Sequence, residues 1–511
     1  MRTLLALLLL PAVAHAAAPV FTDASKDSGL RIAEKTGVGG TNPHAVAVAD
    51  YDNDGLHDVI ILTFGKPHVY YFRNLGNLKF ADVTSGSGLE SFEGDGTGIA
   101  VADFDRDGHL DVYCTSLRKG ASRLYRNTGK GKFEDVSEQA GVLVKGAARS
   151  CAWSDIDADG RPDLYVTRPD GANLLFRNTG KGTFTDIARD AGVELADRHS
   201  LGCAFGDIDG DGKDDLFVTN YHSQVSTLFK NLGGGKFKDT TKDAGVDRPA
   251  SSVGCVFADV FNRGRLDLYV STDSWLSGAN YTEEQLLRMK KTVEPNLLYT
   301  NDGKGTFRPL AEPLFAHKSL GHDIAIEDFD HDGWPDVYVG IDAESGNKWA
   351  TSKGGNPLWT RPAGKTWKEV SKDWGVKIEA NCVCVPAADF DNDGDLDLLL
   401  INFYSQPVLL RNETNDKNWL RVSATGSASS KDGIGAKVSV FAMEDGKKRL
   451  VGYRQIQSGA GYCRCSPLEA HFGLGKTPVA GYRVEVTFPA TGKVVAKDNV
   501  KPGQRFAVSE E

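Results

Sequence analysis

A nine-residue acidic motif returns seven times along this chain, and no other feature restricts its fold as tightly. It reads DYDNDGLHD from Asp50, DFDRDGHLD from Asp103, DIDADGRPD from Asp155 and DIDGDGKDD from Asp207. It continues as DVFNRGRLD from Asp259, DFDHDGWPD from Asp328 and DFDNDGDLD from Asp389. The first aspartates follow one another at 53, 52, 52, 52, 69 and 61 residues. Such a period means one supersecondary unit copied many times, each copy burying its apolar face against the next.

The residues around the motif repeat as well. A small and apolar run such as GIAVAD precedes it, and a strand-like DVYCT, DLYVT or DLFVT follows. Then come NLLFRNTGKGTF-like segments and an F-x-D element ending in AGV. Period-two alternation punctuated by glycine turns gives four strands per unit, the signature of a propeller blade. The expected fold is therefore all-β: a seven-bladed β-propeller over 20–414 with a small C-terminal β-domain over 418–509. The F-x-D element occurs at Phe21 ahead of every acidic motif and is missing after the last one, so the N-terminal strand is expected to complete the seventh blade and remove two open sheet edges.

In D-x-D-x-D-G-x-x-D, positions 1, 3, 5 and 9 supply carboxylate oxygens and the glycine at position 6 permits the positive φ that folds the loop around an ion. The four carboxylates are Asp50, Asp52, Asp54 and Asp58 in the first copy, and Asp103, Asp105, Asp107 and Asp111 in the second. They are Asp155, Asp157, Asp159 and Asp163 in the third, and Asp207, Asp209, Asp211 and Asp215 in the fourth. The sixth has Asp328, Asp330, Asp332 and Asp336, and the seventh Asp389, Asp391, Asp393 and Asp397. Hard, flexible oxygen shells suit Ca²⁺, and clustered carboxylates with no cation repel one another. An EF-hand needs a glutamate at position 12, where this chain has Ile61, Cys114, Val166, Val218, Val339 or Leu400. About six calcium sites are expected. The fifth copy has Phe261 and Arg263 at positions 3 and 5, so the Arg263 guanidinium is expected to replace the ion and pair with Asp259 or Asp267.

The first residues, MRTLLALLLLPAVAHA, read as a secretory leader over 1–16 that ends in an A-x-A signal, which predicts a secreted or periplasmic protein. No later stretch is apolar enough to span a membrane. With 69 acidic against 59 basic residues, a nucleic-acid partner is not expected. Of the eight cysteines, Cys151, Cys203 and Cys255 are 52 residues apart and read as a buried repeat position. Cys382 and Cys384 form one C-x-C pair and Cys463 and Cys465 another.

Two places are candidates for recognition. The long spacings come from insertions over 273–295 and 342–357, on the face opposite the acidic loops, and they carry Trp275, Tyr281 and Trp349 as candidate ligand-binding residues. Near the axis, His44 and His322 stand six residues before their acidic loops while Cys382 and Cys384 flank that position in blade seven, a candidate transition-metal set.

The repeats with RNTGKGTFTDI-type segments resemble FG-GAP (VCBS) repeats, the blades of integrin α-subunit propellers. The tail, with Gly433-Ile434-Gly435-Ala436 and His471-Phe472-Gly473-Leu474-Gly475, resembles the ASPIC/UnbV domain. Together they resemble the cartilage acidic protein family and its bacterial relatives. That resemblance implies an extracellular calcium-binding propeller that binds a protein or glycan, and it carries no catalytic residue onto this chain. No H-E-x-x-H, G-x-S-x-G or C-x-x-C-H motif is present. The alternative is a calcium-dependent enzyme acting on polysaccharide or another extracellular substrate at the insertion-bearing face.

Overall fold

Small and β-branched residues before each acidic loop build the innermost strand of a sheet, where only narrow side chains fit around an axis. The computed structural model describes residues 20–32, 42–272, 295–310, 321–341, 355–403, 405–444, 446–459, 461–475, 479 and 481–511, and these are nearly all β. Blade 1 consists of Asn42–Ala49, Asp58–Phe64, Val69–Asn74 and Phe80–Asp82, paired antiparallel in that order. Its inner strand is buried throughout. Its outer strand buries only Phe80.

The same four-strand order recurs in six further sheets, giving seven among the described residues. Their inner strands begin at Gly96, Cys151, Ser200, Ser252, Gly321 and Cys382. The seventh blade takes its outer strand from the other end of the chain, because Phe21–Asp23 pairs antiparallel with Val408–Asn412. Phe21 also lies 5.9 Å from Phe329 of blade 6, ring to ring. Cys151, Cys203 and Cys255 are buried on inner strands.

An asparagine at the end of the third strand fastens each blade to the one before it, except in blade 6, where that strand ends in Thr360. The Asn127 amide donates to the Tyr51 carbonyl at 2.8 Å, Asn178 to Phe104 and Asn231 to Ile156. Asn74 donates to Phe390 of blade 7 at 2.9 Å, so the same bond spans the seam where the ring closes.

The tail forms two sheets packed face to face. One orders Ala470–Gly473, Trp419–Thr425 and Gln504–Ser509, the last pair being parallel. The other orders Lys447–Gln455, Lys437–Glu444, Tyr482–Thr487 and Val494–Val500. Alternating apolar residues, Leu420 and Val422 on one and Val438, Val440, Val484 and Val486 on the other, meet in a core of their own.

Candidate calcium loops and the plugged channel

Each acidic loop is held by its own backbone before any ion is considered. Asp50 accepts from the backbone N–H of Asp54 at 3.0 Å and of Gly55 at 2.8 Å. Asp58 accepts from Asn74 at 2.7 Å and Tyr51 at 3.4 Å, which ties position 9 to the third strand and to position 2. Asp155, Asp328 and Asp389 repeat the first pattern, and Asp111, Asp163 and Asp397 the second. Position 4 is left-handed as well as position 6: Asn53, Arg106, Ala158, His331 and Asn392 all have φ between 52° and 63°.

This backbone gathers the carboxylates. In the first loop Asp50, Asp52 and Asp54 offer oxygens within 4.8 Å of one another, as do Asp103, Asp105 and Asp111 in the second. The third, fourth and sixth loops do the same. Asp52 Oδ1, Asp103 Oδ1, Asp336 Oδ1 and Asp391 Oδ1 are buried with no hydrogen-bond donor. A buried ionised oxygen without a donor is costly, and a set made only of acceptors is satisfied by a cation. The residues therefore fit a hard cation such as calcium, with the carboxylates of positions 1 and 3 gathered with that of position 5 or of position 9.

Burial, ahead of repulsion from neighbouring loop acids, pushes Asp58 and Asp155 up to about 7 and Asp215 up to about 8. Burial likewise holds Asp111, Asp163 and Asp397 well above the carboxylate range. A folded value above the unfolded one near 4 means that these groups favour the fold at acid pH and lose that contribution as pH rises through 7 to 8. Calcium-free protein should therefore melt at a lower temperature at pH 8 than at pH 5. Saturating calcium should abolish or reverse that trend, and melting curves at both pH values, with chelator and with calcium, check it.

Five loops carry a built-in positive charge that the motif alone does not reveal. Arg73 on the third strand of blade 1 reaches Asp52 at 2.6 Å and Asp54 at 3.2 Å. Arg126 spans Asp105 and Asp107 in the same way, and Arg411 spans Asp391 and Asp393. Arg177 pairs with Asp157, and Lys230 with Asp209. Each cation offsets part of the loop's charge at the exposed rim, while position 9 stays buried beneath it and position 1 is buried or half-buried. In the fifth loop, Arg263 pairs with Asp267 through its guanidinium and donates its backbone N–H to Asp259 at 2.8 Å.

The tail lies over this loop face. Arg421 joins Asp389 and Glu469, Lys437 pairs with Asp207, and Asp432 accepts from the Asp103 N–H at 2.8 Å. His331 of the sixth loop donates its Nδ1 proton to Asp416 at 2.8 Å, and His471 donates to the Gly394 carbonyl at 2.9 Å. Burial would push Glu469 up, but Arg421, His57 and Arg505 together hold it at about 2.

From this cover a hairpin descends into the channel, and between Gln455 and Cys465 it bonds to every blade. Gln455 accepts from the Asp207 N–H and donates to Asp214 in blade 4, while Ser458 donates to the Val101 carbonyl in blade 2 and accepts from the Trp153 N–H in blade 3. Gly461 donates to Cys255 in blade 5 at 2.9 Å, and Cys463 accepts from Val46 in blade 1 at 3.1 Å. Arg464 pairs with Asp323 in blade 6 at 2.7 Å, and Cys384 of blade 7 donates to the Cys463 carbonyl at 3.5 Å. Arg464 and Cys465 also run parallel to Val46 and Ala47.

Tyr462 forms the tip. His44 and His322 both lie against its ring, at 5.7 and 5.8 Å, so the structure does bring together the histidines placed near the axis. The Arg149 guanidinium sits 5.0 Å from the same ring and 3.4 Å from His44 Nε2, which leaves a phenol and a cation between the imidazoles. Burial first and Arg149 second push His322 down to about 4. Cys382 and Cys384 are buried thiols turned toward backbone carbonyls. The candidate transition-metal residues thus line a packed channel mouth that also holds the Arg149 cation.

Trp275, Tyr281 and Trp349 lie outside the described residues. On the face opposite the acidic loops, His199, Tyr221 and His222 form a cluster, with ring centroids 4.6 Å apart for the two histidines and 4.8 Å for Tyr221 and His222. His222 is exposed and its two neighbours are half-buried.

Comparison with known proteins gives concordant results. The FG-GAP-like repeat family matches residues 50–114, 104–166, 155–218, 207–270 and 291–339, and the ASPIC and UnbV family matches 426–511. Cartilage acidic protein 1 of Homo sapiens is 27% identical over 513 residues, covering 91% of this chain and 71% of that protein. The Mus musculus protein of the same name is 27% identical, covering 89% of this chain and 71% of its own length. Among solved structures, the SapL1 lectin in complex with alpha methyl fucoside aligns with a TM-score of 0.36 at 12% identity, over 64% of this chain and 95% of that one. The Dos1 propeller aligns with a TM-score of 0.36 at 9% identity, over 74% and 96%.

Proposed function

This chain belongs to the FG-GAP-like repeat family and also carries an ASPIC and UnbV region, and from that premise we propose that it is an exported, calcium-stabilised propeller that captures a protein or glycan on the face opposite its tail. The observation that carries this reading is the division of the two faces. The tail covers the acidic-loop face and its hairpin fills the channel, so the opposite face is the one left for a partner. That face presents the His199, Tyr221 and His222 rings, flat groups suited to stacking on a sugar or an aromatic side chain. Trp275, Tyr281 and Trp349 belong to the insertions that the loop order assigns to the same face.

Cleavage of a polysaccharide is the weaker reading. A cavity of about 120 Å³ between blades 5 and 6 and the tail, lined by Asp259, Glu327, Arg454, Arg464 and His471, has room for a few water molecules rather than a sugar chain. Partner capture is tested by glycan arrays and by pull-down from the native extracellular or periplasmic fraction. Replacing Tyr221 and His222 by Ala together should weaken the captured interaction by about tenfold or more, the loss of a hot-spot pair, with an unchanged melting temperature. Replacing Trp275 and Trp349 by Ala tests the insertions in the same assay. If capture survives both double variants, the binding face has been misassigned.

A further inference from the structure

Two cysteines from opposite ends of the architecture meet in the channel. Cys384 lies on the inner strand of blade 7, and Cys463 follows the Tyr462 tip of the tail hairpin, 79 residues later. Both are buried, at 0% and 1% exposure. The Cys384 sulfur is 3.5 Å from the Cys463 carbonyl and 3.2 Å from that of His44, which sets its thiol directly against the Cys463 residue. Their backbones are fixed from independent directions, Cys384 by pairing with Ile401 and Cys463 by the bond from Val46.

Four of the other six thiols are placed differently. Cys151 and Cys255 direct their sulfurs to the Tyr113 and Phe217 carbonyls of the preceding blades. Cys382 turns to the carbonyl of Cys384, and Cys465 faces Ser458. Contact between thiols of distant segments is the geometric requirement for a cross-link, and exported proteins meet the oxidants that make one.

We propose that Cys384 and Cys463 form a disulfide in the exported protein, fastening the tail hairpin inside the propeller channel. The oxidant is an oxidised dithiol protein or an equivalent small disulfide. One cysteine thiolate attacks its disulfide and expels one thiol, and the second cysteine then displaces the other. One S–S bond forms in this chain and the oxidant's S–S bond is broken, so two electrons and two protons pass to the oxidant, which leaves as a dithiol. Burial pushes the Cys384 thiol well above its usual range, so the thiolate is scarce once the hairpin is seated. The bond therefore forms as the hairpin enters, and added reductant does not reach it in the folded protein.

The supply of oxidant rests on the export reading, and the experiment separates the two. Full-length protein is produced with its own leader, purified from the exported fraction, and unfolded without reductant in the presence of an alkylating agent. Two of the eight cysteines are expected to escape alkylation, and peptide mapping is expected to join the segment holding Cys384 to that holding Cys463. Eight alkylated cysteines, or a bond joining any other pair, would overturn the assignment. The same chain refolded in a glutathione redox buffer supplies the oxidant regardless of export. Eight free thiols there overturn the disulfide itself, whereas a link seen only there overturns export and the proposal for the exported protein. In the linked protein, Cys463→Ser should lower the melting temperature by several degrees and leave all seven remaining thiols open to alkylation after unfolding. An unchanged melting temperature would count against a fastened hairpin.

Discussion

Excess chelator lowers the melting temperature of the leader-cleaved protein by about 10 °C and releases about six calcium ions per chain. Extracellular calcium modules bind at roughly 10⁻⁴ to 10⁻³ M, and ligand at ten times Kd contributes roughly 1.4 kcal/mol per site. Six sites give ~8 kcal/mol, and a propeller of roughly 390 residues unfolds with an entropy of ~0.8 kcal/mol/K, which sets the expected shift. Elemental analysis supplies the stoichiometry. Six rather than seven follows from the fifth loop, where the Arg263–Asp267 pair already stands in for an ion. A protein that carries no calcium and melts identically in chelator has acidic loops held by their own backbone bonds and basic side chains.

Arg421→Met destabilises the protein by about 3–5 kcal/mol, the cost of leaving buried charges without their partner. Arg421 is 1% exposed and serves two carboxylates at once, Asp389 at the head of the seventh loop and Glu469 in the tail. Its Nη1 also donates to Asn392 at 3.0 Å. Methionine keeps much of the length and removes every donor. Adding Glu469→Gln to that variant should recover part of the loss, because one of the stranded charges is then gone. Denaturant unfolding of the single and double variants measures both effects. A single variant as stable as the parent would mean that the tail does not rest on this pair.

The acidic loops were legible because one residue type at fixed spacing can be recognised without a partner. Position 4 was not, since Asn53, Arg106, Ala158 and His331 share a left-handed backbone but no side-chain chemistry. The RN dipeptide of the third strand was visible as a repeat, yet neither the reach of Arg73 across its loop nor the bond from Asn74 to the preceding blade follows from spacing. The approach of His44, His322 and Cys384 to the axis came from ring closure. Arg149 was missed because it precedes its own acidic loop from a different blade. The hairpin was hardest to foresee, as each of its bonds joins residues far apart in the chain. Its only local sign is the narrow Ser458-Gly459-Ala460-Gly461 run ahead of a single aromatic.

In an open array of repeats, stability is passed from neighbour to neighbour, so one weak unit can loosen by itself. A spindle that touches all seven blades changes that arithmetic. Loss of blade 3 disturbs blade 6 directly, through Ser458 and Arg464 of the same short segment, without crossing the blades between. The chain should then melt as one cooperative body, and its least regular blades, the fifth and sixth, borrow their order from an element encoded after all of them.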